Sequence, residues 1–241
     1  MPVTSRRIAA NLERIRERTA AACARSGRLP EEVSIVAVTK QVDLDIIRGL
    51  LEVGLTDLGE NRAGQLTERA AEVDALVQRR RTPLPAPVRW HMIGHLQRNK
   101  VKGVLSAASV IHSVDSLRLA EEINKRAEAQ AVRPEVLLEV NCSGEPQKHG
   151  CAVGAAAHMA DLMAGMKHLR LVGLMTMAPL SEDPEQARPS FARLREIYED
   201  MRREGAGGAD LRHLSMGMSS DYVVAVEEGA TMLRIGTALF E

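Results

Sequence analysis

Eight short, nearly continuous apolar runs punctuate this chain, with helical segments between them. Such runs read as strands buried on both faces of a parallel sheet, because a strand with one wet face alternates instead. They fall at Val33–Thr39, Leu55–Leu58, Val88–Ile93, Val110–His112, Glu135–Asn141, Leu169–Met175, Leu211–Ser215 and Met232–Gly236. Helical spacing covers 43–53, 61–78, 97–105, 116–130, 154–166, 184–204 and 219–229, and an amphipathic helix over about 3–25 precedes the first strand. This rhythm over 241 residues predicts an α/β fold, a (β/α)8 TIM-type barrel with an additional N-terminal helix, as a single domain spanning 1–241. The rival is an open doubly wound sheet. Its usual Gly-x-Gly-x-x-Gly turn after the first strand is missing, and Thr39-Lys40-Gln41 stands there.

The bulk chemistry narrows the partners. Hydrophobic residues make up 45% and the net charge is zero, so a packed core is expected, with no attraction to nucleic acid or an anionic membrane. The basic run Gln78-Arg79-Arg80-Arg81 sits beside Pro83, Pro85 and Pro87 and reads as a solvated loop. Three cysteines without a CxxC pair, no apolar signal core and no long apolar window point to the reducing cytoplasm.

A barrel of this kind carries its chemistry where the strands end. Leu214-Ser-Met-Gly-Met-Ser-Ser-Asp221 and Leu233-Arg-Ile-Gly-Thr237 each end a strand with small, amide-donating residues, a pattern suited to phosphate. Lys40 follows the first strand and shares parity with Val36 and Val38. If that face is the barrel interior, desolvation favours the neutral, nucleophilic amine; a surface lysine is the plainer alternative. Lysine and phosphate pocket together point to a phosphorylated aldehyde held covalently, pyridoxal phosphate. Arg234 lies inside an apolar strand and therefore requires a partner, either a barrel carboxylate such as Glu139 or the ring nitrogen of that cofactor. His91 and His95 have metal-like spacing, but the strand exit between them argues against a shared face.

The motifs AVTK (37–40), GEN (59–61), WHMIGHLQRNK (90–100), HSVDS (112–116), EVN (139–141), GLMTM (173–177), LSMGMSSD (214–221) and RIGT (234–237) stand in this order. Together the chain resembles the pyridoxal phosphate homeostasis proteins, single-domain relatives of the alanine racemase N-terminal barrel. The resemblance implies an internal aldimine on Lys40, a phosphate site from Ser215, Ser219, Gly236 and Thr237, Arg234 facing the pyridine nitrogen, and Asn61 and His91 lining the pocket. Two departures stand out: Arg62 follows GEN where a tyrosine is frequent, and no tail follows Phe240-Glu241.

The expected function is a non-catalytic carrier that limits free cofactor aldehyde, acts in vitamin B6 and amino/keto acid balance, and can hand the cofactor to apo enzymes as a monomer. A racemase needs a second acid/base, often a tyrosine from another domain, and here Tyr198 and Tyr222 fall in predicted helices. The alternatives are a low-activity pyridoxal phosphate racemase or lyase, and a cofactor-free aldolase-like barrel using Lys40.

Overall fold

Strand β1 (Ser34–Val38) pairs in parallel with β2 (Asp57–Glu60) on one side and with β8 (Met232–Ile235) on the other, and this double pairing closes a barrel. The structure, a computed structural model, describes residues 5–241. Between those strands run β3 (Arg89–Met92), β4 (Ala108–Val114), β5 (Glu135–Glu139), β6 (Arg170–Met175) and β7 (His213–Ser215), all parallel in sequence order. The predicted (β/α)8 barrel is therefore the observed fold.

Helix α1 (Ser5–Arg25) precedes the barrel and buries Ile8, Leu12, Ile15, Ala22 and Cys23, one stripe at helical spacing. Burying Ile8, Leu12 and Ile15 contributes roughly 2 kcal/mol each. The stripe packs on α2 (Leu44–Glu52), and on two helices introduced by the last βα units, α8 (Tyr222–Glu227) and α9 (Thr237–Phe240). Asn11 Nδ2 also donates to the carbonyl of Leu239 at 3.0 Å. The leading helix thus seals the seam where the chain's first and last strands meet. Its predicted residues 3 and 4 lie outside the described residues.

The remaining helices α3 (Ala63–Gln78), α4 (Val101–Val104), α5 (Leu117–Ala129), α6 (Ala156–Ala164) and α7 (Arg188–Glu204) each follow a strand, as their spacing predicts. Strand limits differ in a way that matters. Strand β2 starts and ends two residues later than expected, and β4 runs from Ala108 to Val114 rather than stopping at His112. His112 is consequently a barrel-interior residue, not a rim residue. Among the described residues, no helix is long and apolar enough to cross a membrane.

The barrel interior is unusually polar at its N-terminal end. There Glu135 accepts from Arg89 at 2.8 Å, from Arg212 at 2.6 Å and from Arg170, while Arg89 also lies 3.6 Å from Asp57. Above this layer, Val110, Leu137, Val172 and Met175 form a separate apolar cluster.

Candidate functional site

Lys40 sits in the turn that leaves β1, and its side chain is exposed. The expectation of a water-poor interior lysine is therefore not met: β1 ends at Val38 and the backbone turns out of the wall at 40–41. That turn is held from behind. The Thr39 hydroxyl donates to Glu60 Oε1 at 2.6 Å, and Arg69 donates to the Thr39 carbonyl at 2.8 Å. Glu60 is fully buried, and burial raises its carboxyl above the usual range against the pull of Thr39 and Arg69. Asn61, half-buried, comes next. Gly94 lies so close to it that an added Cβ would stand 2.2 Å from the Asn61 carbonyl oxygen. The residue at 94 must be glycine for the ends of β2 and β3 to approach.

The phosphate-type donors gather one strand away. Asp221 Oδ1 accepts from the Met218 N–H at 2.6 Å and closes the turn that presents Ser219. Ser219 Oγ accepts from the N–H of Gly236 and of Ala238, both at 3.2 Å, so two backbone amides converge on one hydroxyl. Thr237 lies exposed between them. A Cβ added to Gly236 would meet only Val38, at 3.5 Å or more, so packing alone does not demand glycine there. Its absence leaves a methyl-sized space open beside the amides. Because Ala37 pairs with Ile235, Lys40 and this cradle occupy neighbouring strand ends. Convergent amides, hydroxyls and a reachable amine fit the phosphate and aldehyde of pyridoxal phosphate.

Gly217, at φ +90°, shapes the same corner: a Cβ there would come within 2.5 Å of Ala225 Cβ, and its carbonyl accepts from the Arg234 N–H at 3.0 Å. The Arg234 side chain is 4% exposed and reaches inward. It donates to Ser215 Oγ at 2.6 Å and to the Thr176 carbonyl at 3.0 Å. Its partners are thus a hydroxyl and a carbonyl rather than an ion-paired Glu139. Burial brings its pKa down to about 10 against the raising effect of Glu139 and Asp221, and it stays a cation at neutral pH.

Ser215 and His91 are placed differently from the expectation. Ser215 is fully buried, with its hydroxyl between Arg234 and His112 Nδ1, the latter at 2.8 Å. It points into the barrel, while Ser219 lies beyond the turn. His91, 1% exposed, is an inward residue within β3; its Nδ1 lies 2.9 Å from His112 Nε2 and its Nε2 2.9 Å from Asp57 Oδ1. Burial pushes His91 below its ordinary pKa and His112 well below it, so both are neutral. Asp57 and His112 were not among the expected site residues. Their signal in the sequence was a titratable side chain within, or at the end of, a predicted strand.

Around the rim, His95 and His149 stack at 4.0 Å with Asp115 Oδ2 lying 3.3 and 3.9 Å from their Nδ1 atoms. These three could hold a metal by composition. With an interplanar angle of 13°, however, the two imidazole lone pairs lie in parallel planes and do not converge on one point. The trio instead ties the 141–150 loop to the ends of β3 and β4. Glu139 faces the mouth with 6% exposure, and burial, reinforced by Asp115, raises its pKa to about 7. Cys142 and Cys151 are pushed by burial to about 11 and 12, which suits packing rather than nucleophilic roles.

Comparison with known proteins places this geometry in context. The family model for the alanine racemase N-terminal domain matches residues 3–241. The "Pyridoxal phosphate homeostasis protein" of Aquifex aeolicus is 38% identical over 229 residues, 95% of each chain. The protein of the same name from Pseudomonas aeruginosa is 35% identical over 233 residues, covering 97% of this chain and 94% of its own. Among solved structures, PipY of Synechococcus elongatus PCC7942 with PLP bound superposes with a TM-score of 0.81 at 31% identity, over 97% of this chain and all of PipY. Alanine racemase of Clostridium difficile 630 shares the fold at a TM-score of 0.71 and 15% identity, over 98% of this chain but 57% of its own. The chain belongs to the pyridoxal phosphate homeostasis protein family, whose barrel is that of the alanine racemase N-terminal domain.

Proposed function

We propose that this protein holds pyridoxal phosphate on Lys40 and keeps the reactive aldehyde out of free solution in the cytoplasm, as a monomer that can pass the cofactor to apo enzymes. The carrying observation is that Lys40 and the Ser219–Gly236–Ala238 cradle stand at the ends of adjacent strands β1 and β8, with Arg234 beneath them. Lys40, exposed in the turn after β1, would supply the amine that the cofactor's aldehyde captures. The Gly236 and Ala238 amides with the Ser219 and Thr237 hydroxyls hold the phosphate, and Asn61 forms part of the wall. Arg234, which can only donate, would keep the ring nitrogen of the cofactor unprotonated. When bound, the cofactor supplies an electron sink, and an unprotonated ring is a weak one. His91 and Ser215 support Arg234 from behind rather than touching the phosphate.

Weak catalysis is the consequence. Tyr198 on α7 donates to the Leu211 carbonyl at 3.4 Å, and Tyr222 is buried at the start of α8, so neither supplies the second base of a racemase. One observation favours the second reading, a slow racemase or lyase: Glu139, with a pKa of about 7, is poised to exchange a proton at the mouth. The deciding experiment is the visible spectrum of protein loaded with pyridoxal phosphate, then borohydride reduction and peptide mapping. A phosphopyridoxyl group on Lys40 with no amino acid turnover supports the carrier. A colourless protein that takes up no cofactor overturns both readings.

A further inference from the structure

Five side chains form one unbroken row through the barrel: Asp57 on β2, His91 on β3, His112 on β4, Ser215 on β7 and Arg234 on β8. The successive separations are 2.9, 2.9, 2.8 and 2.6 Å. The two ends are chemically unequal. Arg234 can only donate, and an ionised Asp57 can only accept. Burial opposes ionisation of Asp57, but the hydrogen bond from His91, with the Arg89 guanidinium, holds its carboxyl below the usual range. With neutral imidazoles, one arrangement satisfies every link. His91 Nε2–H donates to Asp57, His112 Nε2–H donates to His91 Nδ1, and the Ser215 hydroxyl donates to His112 Nδ1. Ser215 then gives its proton to His112 and keeps its lone pairs to accept from Arg234.

The reverse arrangement fails at one place only. If His91 and His112 carried their protons on Nδ1, Ser215 could still accept from both His112 and Arg234, but a bare His91 Nε2 would confront the Asp57 carboxylate. Asp57 alone therefore selects the direction. In the reversed row Ser215 would divide its two lone pairs between the His112 N–H and Arg234, which alters the bond to Arg234 without breaking it.

We infer that Asp57, His91 and His112 are positioning residues for Arg234: a one-way hydrogen-bond row, set at the N-terminal end of the barrel, fixes the donor that faces the mouth. The row's effect on a bound ring rests on the proposed function; its direction does not. Three of the five N–H groups of Arg234 remain after one goes to Ser215 and one to the Thr176 carbonyl.

The test is side-chain nitrogen NMR of the two histidines and Arg234 in cofactor-free protein. Wild type should show both imidazoles as the Nε2–H tautomer. In Asp57→Ala the Nδ1–H tautomer should appear at His112, two links away, and the Arg234 side-chain N–H signals should shift. Asp57→Glu, which restores an acceptor, should return the wild-type pattern. Wild-type histidines protonated on Nδ1 would overturn the inference without any variant, as would a folded Asp57→Ala protein whose His112 and Arg234 signals are unmoved. In loaded protein, Asp57→Ala should weaken pyridoxal phosphate binding on the order of tenfold. If wild type binds no cofactor, the functional reading fails while the tautomers still decide the row.

Discussion

Gly236 faces Val38 across the seam where β8 meets β1, with an added Cβ only 3.5 Å from Val38 Cβ. That distance is ordinary contact, so Gly236→Ala should fold and cost less than about 1 kcal/mol. Its methyl would nevertheless occupy the space beside the Gly236 and Ala238 amides. Gly236→Val should fill it, lowering pyridoxal phosphate affinity about tenfold or more while thermal unfolding moves little. Fluorescence titration beside a melting curve separates the effects. A Gly236→Val protein that binds like wild type would remove the cradle from the site.

Lys40 is exposed and makes no side-chain hydrogen bond among the described contacts, so Lys40→Ala should leave stability within about 0.5 kcal/mol. The same change should abolish the borohydride-trapped adduct. Thr39→Val instead removes the hydroxyl that meets buried Glu60 at 2.6 Å and leaves that carboxyl short of a partner. It should cost about 1–3 kcal/mol and slow cofactor capture with Lys40 intact. Capture kinetics on the two variants check this division: if Thr39→Val loads at the wild-type rate, the clamp behind Lys40 has no bearing on capture.

Barrel order was legible in the sequence because buried parallel strands write themselves as apolar runs, and the helix stripes between them keep their period. The rim was partly legible. Lys40, Ser219, Gly236 and Thr237 follow strand ends, where a barrel displays its chemistry. Interior chemistry was not legible for a geometric reason. His112 reads as a strand exit unless β4 is known to continue to Val114, and Asp57 reads as a strand residue with no visible neighbour. Their meeting depends on β2, β3 and β4 lying side by side with matched parity, which appears only once the barrel closes. Likewise, the parity that places Lys40 on the inner face holds for Val36 and Val38 and lapses where the turn begins.

Stability should fall on mild acidification. His91, His112 and His213 are all held below their ordinary pKa by burial, His213 at about 4. A depressed histidine stays neutral in the folded chain while the unfolded chain takes up a proton, so its contribution is complete above about pH 6.5 and is lost toward pH 4. Glu139 works in the opposite sense: with its pKa raised to about 7, it binds a proton in the folded chain that the unfolded chain has released above about pH 4.5. Glu60 and Asp221, also raised by burial, act with Glu139, whereas Asp57, held low, acts with the histidines. His112, pushed well down, and His213 at about 4 decide the sign. The melting temperature should drop between pH 6.5 and 4.5, and a flat profile over that range would contradict the neutral assignments.

The stacked pair His95 and His149 ties the 141–150 loop to Asp115 at the mouth. Within the loop, Asn141 accepts from the Gly144 N–H at 3.0 Å and donates to the Glu145 carbonyl at 2.9 Å, so its base keeps its shape independently of the histidines. His149→Ala should therefore release the tip without unfolding the barrel, at a cost under about 1 kcal/mol because His149 is exposed. Amide hydrogen exchange should quicken over 144–150 and stay unchanged in β5. If the loop covers the mouth, pyridoxal phosphate should also leave faster from the variant than from wild type. Unchanged exchange over 144–150 would mean that the histidine stack holds nothing in place.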